Sequence, residues 1–298
     1  MRYIRPVLFA AAASILSTAA AYADLGDQLF KLLAEDGAAD HRFGVSVAIN
    51  GTIAIVGAWR DDDNGTSSGS AYLFDTTTGA QIAKLLADDG AQGDFFGGSV
   101  GISGPPGKEV AIVGAFSDND NGDVSGSAYL FDLSDPAKPT QLFELLAKDG
   151  AEEDNFGISV AITGTTAIVG AYRDDDNGAG SGSAYLFDTT GRQIDKLLPD
   201  DGAADDRFGY SVAISGDIAV VGSWQDDDNG SNSGSAYLFD ASSCPWDLDA
   251  NGSVGVSDLL ELLASWGPCK DCPGDFDGNN DVGVSDLLAL LANLGPCP

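Results

Sequence analysis

Two stretches near the C-terminus space their oxygen-bearing side chains in a way that suits a hard cation. In the first, Asp247, Asp249 and Asn251 stand at alternate positions, Gly252 follows, Ser253 offers a main-chain carbonyl and Asp258 closes the set. In the second, Asp275, Asp277 and Asn279 lead, Asp281 offers its carbonyl and Asp286 closes. Alternate oxygen ligands converge on one point when the chain turns sharply between them, and a carboxylate at the twelfth position completes the shell around calcium. The sharp turn needs a left-handed residue. Gly252 supplies it in the first loop, and Asn280, the next best residue for that conformation, in the second. The spacing predicts two calcium ions, one per loop.

Each loop leads into an amphipathic segment, Val256 to Trp266 and Val284 to Leu294, and each segment is stopped by Gly-Pro. The region 244–298 is thus a twofold loop–helix repeat, set off by Ala241-Ser242-Ser243 as a short linker. It carries all four cysteines of the chain, Cys244, Cys269, Cys272 and Cys297. One CxxC is too few for the paired arrangement that zinc usually takes, so disulfides are the expectation. If the helices are antiparallel, the start of one half lies near the end of the other. A helix of about eleven residues separates the cysteines of one half by roughly 16 Å, whereas a disulfide needs Cα atoms within about 7 Å. This favours Cys244–Cys297 with Cys269–Cys272 over the within-half pairs Cys244–Cys269 and Cys272–Cys297. A unit this small needs such staples.

The residues before it, 24–240, form a second repeat, present four times. Each copy opens on Phe-Gly, at Phe43-Gly44, Phe96-Gly97, Phe156-Gly157 and Phe208-Gly209. A second apolar run ends in Gly-Ala or Gly-Ser plus an aromatic, and an acidic turn follows at Asp61–Gly65, Asp118–Gly122, Asp174–Gly178 and Asp226–Gly230. A third run, SGSAYLFD, ends the block. These runs are short, rich in Val, Ile, Tyr and Phe and bounded by turn residues, which reads as strands. Phe43, Val45, Val47 and Ile49 share one face and Gly44, Ser46 and Ala48 the other. Bulky faces laid on small ones predict stacked sheets, with Tyr72, Phe74 and their equivalents as core. A fourth run, of the type IAKLLADDG at 82–90, is read as an outer strand. Its copy at 29–37 precedes the first block and none follows the last. The segment Leu29–Leu33 is therefore expected to pair with Tyr237–Phe239 and close a ring, with an open or dimer-completed arc as the alternative.

The Phe-Gly openings and Gly-Ala-aromatic runs resemble FG-GAP repeats, which implies a mainly β, four-bladed propeller of the integrin α type closed by the N-terminal strand. Two features depart from the family pattern. Trp59, Phe116, Tyr172 and Trp224 stand where it has proline, and the repeats are fewer than in integrin-type propellers. Calcium in the acidic turns fits poorly, since alignment on the turn glycine puts Arg60 and Ser68, or Ser117 and Ser125, at ligand positions. A solvated Asp/Asn hairpin turn is the favoured reading there. The duplicated loop–helix unit with Gly-Pro-Cys endings resembles a dockerin domain built on two EF-hand-like loops. That resemblance implies a cohesin-like partner or cell-surface scaffold, read by Val256, Ser257, Val284 and Ser285. Because the two halves match, docking in either of two orientations is implied.

Residues 1–23 have a basic start at Arg2 and Arg5, an apolar stretch from Val7 to Ile15 and the small-x-small site Ala21-Tyr22-Ala23. This reads as a signal peptide cleaved after Ala23, hence a secreted or surface protein with no inserted span. The net charge of −32 argues against nucleic acid and anionic membranes as partners. The single histidine, His41, reads as a surface residue, and no nucleophile motif or phosphate loop appears. The chain is therefore read as a non-catalytic binding or adhesion protein whose propeller takes an extracellular glycan or protein ligand. A glycosidase-like component of a polysaccharide-degrading system, with an acid pair among its many carboxylates, and a purely structural surface protein are the alternatives.

Overall fold

The structure, a computed structural model, describes residues 26–242, 244, 246–248, 253–269, 272–277 and 279–296. The expected leader 1–23 lies outside them. Three four-stranded antiparallel sheets follow one another along the chain. The first comprises β1 (Val47–Asn50), β2 (Ile53–Ala58), β3 (Ser70–Asp75) and β4 (Gln81–Leu85). The second comprises β5 (Phe96–Ser103), β6 (Val110–Ala115), β7 (Ser127–Asp132) and β8 (Thr140–Leu145). The third comprises β9 (Phe156–Thr163), β10 (Thr166–Ala171), β11 (Ser183–Asp188) and β12 (Gln193–Leu197). The fourth sheet has three strands, β13 (Phe208–Ser215), β14 (Ile218–Ser223) and β15 (Ser235–Asp240). The fourth runs of the first three blocks are outer strands, as their length and Asp-Gly ends predict.

Alternation along these strands gives each sheet two unlike apolar faces. The face towards the C-terminus carries Ile55, Ala71, Leu73 and Leu85 in the first sheet; it packs on Phe96, Val100, Val113, Tyr129 and Phe131 of the second. The same set recurs between the second and third sheets and between the third and fourth. Tyr72, Tyr129 and Tyr185 are fully buried, so these aromatics are core.

Glycines fix how closely the sheets approach. In β5 the register slips between Phe96, opposite Ala115, and Ser99, opposite Gly114, leaving Gly97 in a bulge at φ +85. A Cβ on Gly57 would strike the Gly97 carbonyl oxygen, one on Gly97 would strike the Ser70 carbonyl, and Gly114 with Gly157 and Gly170 with Gly209 repeat the first arrangement. The Phe-Gly opening and the glycine of the second run are therefore one joint, made by two neighbouring sheets. Polar bonds span it: Phe96 N–H donates to Ser68 O at 2.9 Å and Ser99 Oγ to Gly157 O at 2.8 Å.

The structure does not confirm the expected ring closure. Residues 27–34 form no strand, and the fourth sheet lacks a fourth strand. Leu32 and Ala34 pack instead on the first sheet, against Val56, Ala58, Tyr72 and Phe74. The reason lies in the repeat. Leu32 and Ala34 stand where Leu85 and Ala87, or Leu145 and Ala147, stand, and those residues dock on the sheet that follows them. Among the described residues, no buried core joins the fourth sheet to the first.

Beyond Asp240 lie β16 (Ser253–Val254), α1 (Val256–Ala264), β17 (Gly267–Pro268), β18 (Asp281–Val282), α2 (Val284–Ala292) and β19 (Gly295–Pro296). The two halves are interlocked, because β16 pairs with β19 and β17 with β18. Val254, Leu262, Val282 and Leu290 form their small core. Cys269 and Cys272 are joined, with Cα atoms 5.9 Å apart. Cys244 is also disulfide-bonded, and Cys297 lies outside the described residues.

If the glycine joint sets the spacing of the sheets, Gly114→Ala should lower stability by about 2–3 kcal/mol, as overpacking against an immovable main chain does. Urea unfolding of the full chain measures this; a loss within 0.5 kcal/mol (about the surface-substitution scatter) would refute it.

Candidate functional site

The acidic turns are solvated at their tips but not at their first residue. Their first carboxylates, Asp61, Asp118, Asp174 and Asp226, are all buried. Each accepts from the tyrosine hydroxyl of the third strand in its own sheet: Tyr72 to Asp61 at 2.6 Å, Tyr129 to Asp118 at 3.0 Å, Tyr185 to Asp174 at 2.8 Å and Tyr237 to Asp226 at 2.7 Å. In the first three sheets, what completes the cluster is set by one residue of the outer strand. Lys84 Nζ lies 2.7 Å from Asp36, 3.1 Å from Asp61 and 2.7 Å from Asp63. Lys196 Nζ meets Asp149, Asp174 and Asp176 at 2.7, 2.9 and 2.7 Å. Burial alone lowers a lysine pKa, yet hydrogen bonds to these carboxylates hold both ammonium groups above their ordinary value.

In the second sheet the same position is Glu144. Carboxylate oxygens of Asp89, Asp120 and Glu144 lie within 4.8 Å of one another. Burial, with repulsion from Asp120 and Asp89, pushes the Glu144 carboxyl up to about 7. Asp94 and Asp154, also desolvated, are pushed up to about 6. His41 occupies their repeat position in the first block and is no surface residue. Its Nδ1 lies 3.2 Å from Asp61 Oδ2, with the ring 15% exposed.

The aromatics that replace proline line one rim of the stack. Trp59, Phe95 and Phe116 form one group, with centroids 4.8 to 5.8 Å apart. Tyr172, Tyr210 and Trp224 form another, at 5.5 and 5.8 Å. Arg60 stacks on Trp59, and Arg173 and Arg207 lie over Tyr172. Tyr210 and Trp224 are about half exposed. Sequence reading recorded four of these residues only as departures from a pattern; the signal was that all four substitutes are aromatic.

In the C-terminal module both closing carboxylates are fully buried. Asp258 accepts from Leu248 N–H and Gly255 N–H, both at 2.7 Å. Asp286 accepts from Phe276 N–H and Gly283 N–H, both at 2.8 Å. Each thus ties its loop to the start of its helix. In the second loop, Asp275, Asp277 and Asp286 place carboxylate oxygens within 4.8 Å of one another, Asn279 N–H donates to Asp275 and Asp277, and Asn280 takes the left-handed turn at φ +66. Asp281 is exposed beside them. In the first loop Asp247 and Ser253 are half-buried; Asp249, Asn251 and Gly252 lie outside the described residues. Val256, Ser257, Val284 and Ser285 sit exposed at the first turn of each helix. Among the described residues, no helix is long and apolar enough to cross a membrane.

Four stacked antiparallel sheets joined by a repeated glycine contact define a repeat protein of the propeller class, a class that serves as a binding or adhesion-type module. The FG-GAP repeat family matches residues 27–74, 80–131, 139–187 and 192–239. The chain belongs to that family. No curated protein matches it.

Replacing Glu144 by lysine should install the cage of the neighbouring clusters and raise the melting temperature by about 2–4 °C, the equivalent of about 1 kcal/mol at this size. The wild type should also gain stability as pH falls from 7 towards 4.5. Glu144 holds a proton in the fold up to about 7 but has an ordinary value of 4.5, so raising pH through that window weakens the fold. Thermal melts at both pH values check this, and Glu144→Lys should flatten the dependence.

Proposed function

We propose that this is an exported, non-catalytic binding protein, anchored through a dockerin-like module that folds around two calcium ions. The observation that carries the reading is the duplicated outer surface of that module. Val256, Leu260, Leu263 and Trp266 are exposed along α1 and just beyond it, and Val284, Leu288, Leu291 and Leu294 repeat them along α2. Two equivalent apolar stripes on a unit with so small a core are not needed for its own packing, and they suit a partner that takes either helix. The second loop gathers the carboxylates of Asp275, Asp277 and Asp286, which repel one another without a cation. A cohesin-like domain on a scaffold or cell surface is the partner this arrangement fits.

The ligand end of the protein is the rim built by Trp59, Phe95, Phe116, Tyr172, Tyr210 and Trp224. Flat aromatic faces flanked by arginines suit the apolar faces and hydroxyls of sugar rings, so an extracellular glycan is the ligand class. Enzymatic action has no support in this arrangement, because the buried carboxylates recur in every sheet.

Calcium should raise the melting temperature of the module's transition in the full chain by several degrees, through mass action on the folded state, and chelator should reverse it. Asp286→Ala should abolish the response of its loop and weaken capture of a type I cohesin domain at least tenfold, about 1.4 kcal/mol. A melt indifferent to calcium and chelator would defeat the reading. On a glycan array, Trp224→Ala should lose the signal that the wild type gives.

A further inference from the structure

The repeat leaves two unlike faces without neighbours. On the first sheet, Val47 and Ile49 are 68% and 67% exposed, whereas their equivalents Val100 and Ile102 are 6% and 8% exposed beneath the preceding sheet. On the fourth sheet, Leu238 is 74% exposed, whereas its equivalents Leu73 and Leu130 are fully buried under the following sheet. Ile218 and Val220 are exposed beside it; their equivalents Ile53 and Ile55 are buried. The exposed face of the fourth sheet is thus the kind of face that packs, three times within this chain, on the kind of face that the first sheet exposes.

Part of the missing interface is already in place. Besides Leu32 and Ala34, Asp36 accepts from Tyr72 OH at 2.9 Å, as Asp149 does from Tyr185 at 3.2 Å. Glu35 N–H donates to Gln81 Oε1 at 3.0 Å, as Asp88 and Lys148 N–H donate to Gln141 and Gln193. Residues 32–36 therefore make the contacts that the end of a preceding outer strand makes, while the sheet that would own that strand is absent. The fourth sheet, conversely, has no outer strand. In the repeat register, where Leu130 opposes Phe143, residue 238 would face Phe30, and Lys31 would fall at the position of Lys84 and Lys196.

We infer that two copies of this chain associate head to tail, the fourth sheet of each packing on the first sheet of the other and taking the other's residues 28–32 as its fourth strand. Lys31 of one copy would then reach the Asp201, Asp226 and Asp228 cluster of its partner, completing the cage seen around Lys84 and Lys196. A heterologous contact made twice closes on itself. Two copies give eight sheets, within the range in which propeller rings close. Closure also removes the exposed edge of β15.

The full chain, purified with calcium, should have the mass of two chains by light scattering at micromolar concentration. Leu238→Asp and Val47→Asp should each give the mass of one chain with an unchanged circular dichroism spectrum, since both side chains are exposed in the single copy. A Phe30→Cys chain mixed with a Leu238→Cys chain should form a disulfide between chains, seen as a doubled band without reductant. A one-chain mass for the wild type, a filament, or a double variant that cross-links only within one chain would overturn the inference. So would a two-chain mass that survives Leu238→Asp, which would place the contact elsewhere.

Discussion

At Gly57, Gly114 and Gly170 the main chain of one sheet lies so close to the carbonyl of Gly97, Gly157 or Gly209 in the next that no Cβ fits between them. That approach decides most of what surrounds it. It requires the bulge after each phenylalanine, because only a left-handed residue there turns its carbonyl towards the neighbouring sheet. The bulge in turn aims the phenylalanine ring between Tyr and Phe of its own third strand, as Phe96 lies at 5.5 and 5.9 Å from Tyr129 and Phe131. The contact is made between sheets, so its geometry propagates from one sheet to the next and ends where the repeats end. β1 illustrates the ending: it begins at Val47, whereas β5, β9 and β13 begin at their phenylalanines. Phe96 and Phe208 bridge to Gly69 and Gly182 of the sheet before, and the first sheet has no such partner.

Close packing of this kind brings acidic turns under the outer strand of the same sheet and beside the turn that ends the strand before it. A carboxylate taken out of water must find donors. The tyrosine hydroxyl is one, the turn amides are others, as when Asp63 N–H donates to Asp61, and the outer-strand residue decides the remaining charge. Lysine at that position offsets part of the repulsion among three carboxylates; glutamate adds a fourth. The same backbone therefore carries different electrostatics in adjacent sheets, with a single side chain responsible. Much of the charge of −32 is surface acidity, but these first Asp residues are structural.

The strands, their order within each sheet and the core role of Tyr72 and Phe74 were legible in the sequence because alternation and turn residues are local signals. The family was legible because whole blocks recur. The fate of Asp61, Asp118, Asp174 and Asp226 was not, since an Asp-rich turn reads the same whether it faces water or a tyrosine hydroxyl. Nor was the position of Leu32 and Ala34. Counting strands shows that an outer strand is missing from the last block and spare before the first. It does not show whether the two ends of one chain come together, because strand pairing and face packing are separate contacts that the same segment can make with different sheets. In the C-terminal module the loop–helix order was legible, whereas the interlock of β16 with β19 was not, since two-residue strands carry no periodicity.

Repetition explains why the surface of this chain is informative. In a molecule of unrelated elements, an exposed Leu238 or Val47 is an ordinary surface apolar residue. Here each has three counterparts, and the counterparts covered by a neighbouring sheet show what that environment does to the position. Exposure at the two ends is thus a departure measured against the chain itself. The helices α1 and α2 present the opposite case. Their apolar stripes match each other and both are exposed, so the comparison within the chain supplies no cover for either. In the proposed assembly an unlike molecule would cover the stripes, whereas a second copy would cover the sheet faces. The two surfaces would then divide the work: the repeats would complete themselves, and the module would attach the result to its partner.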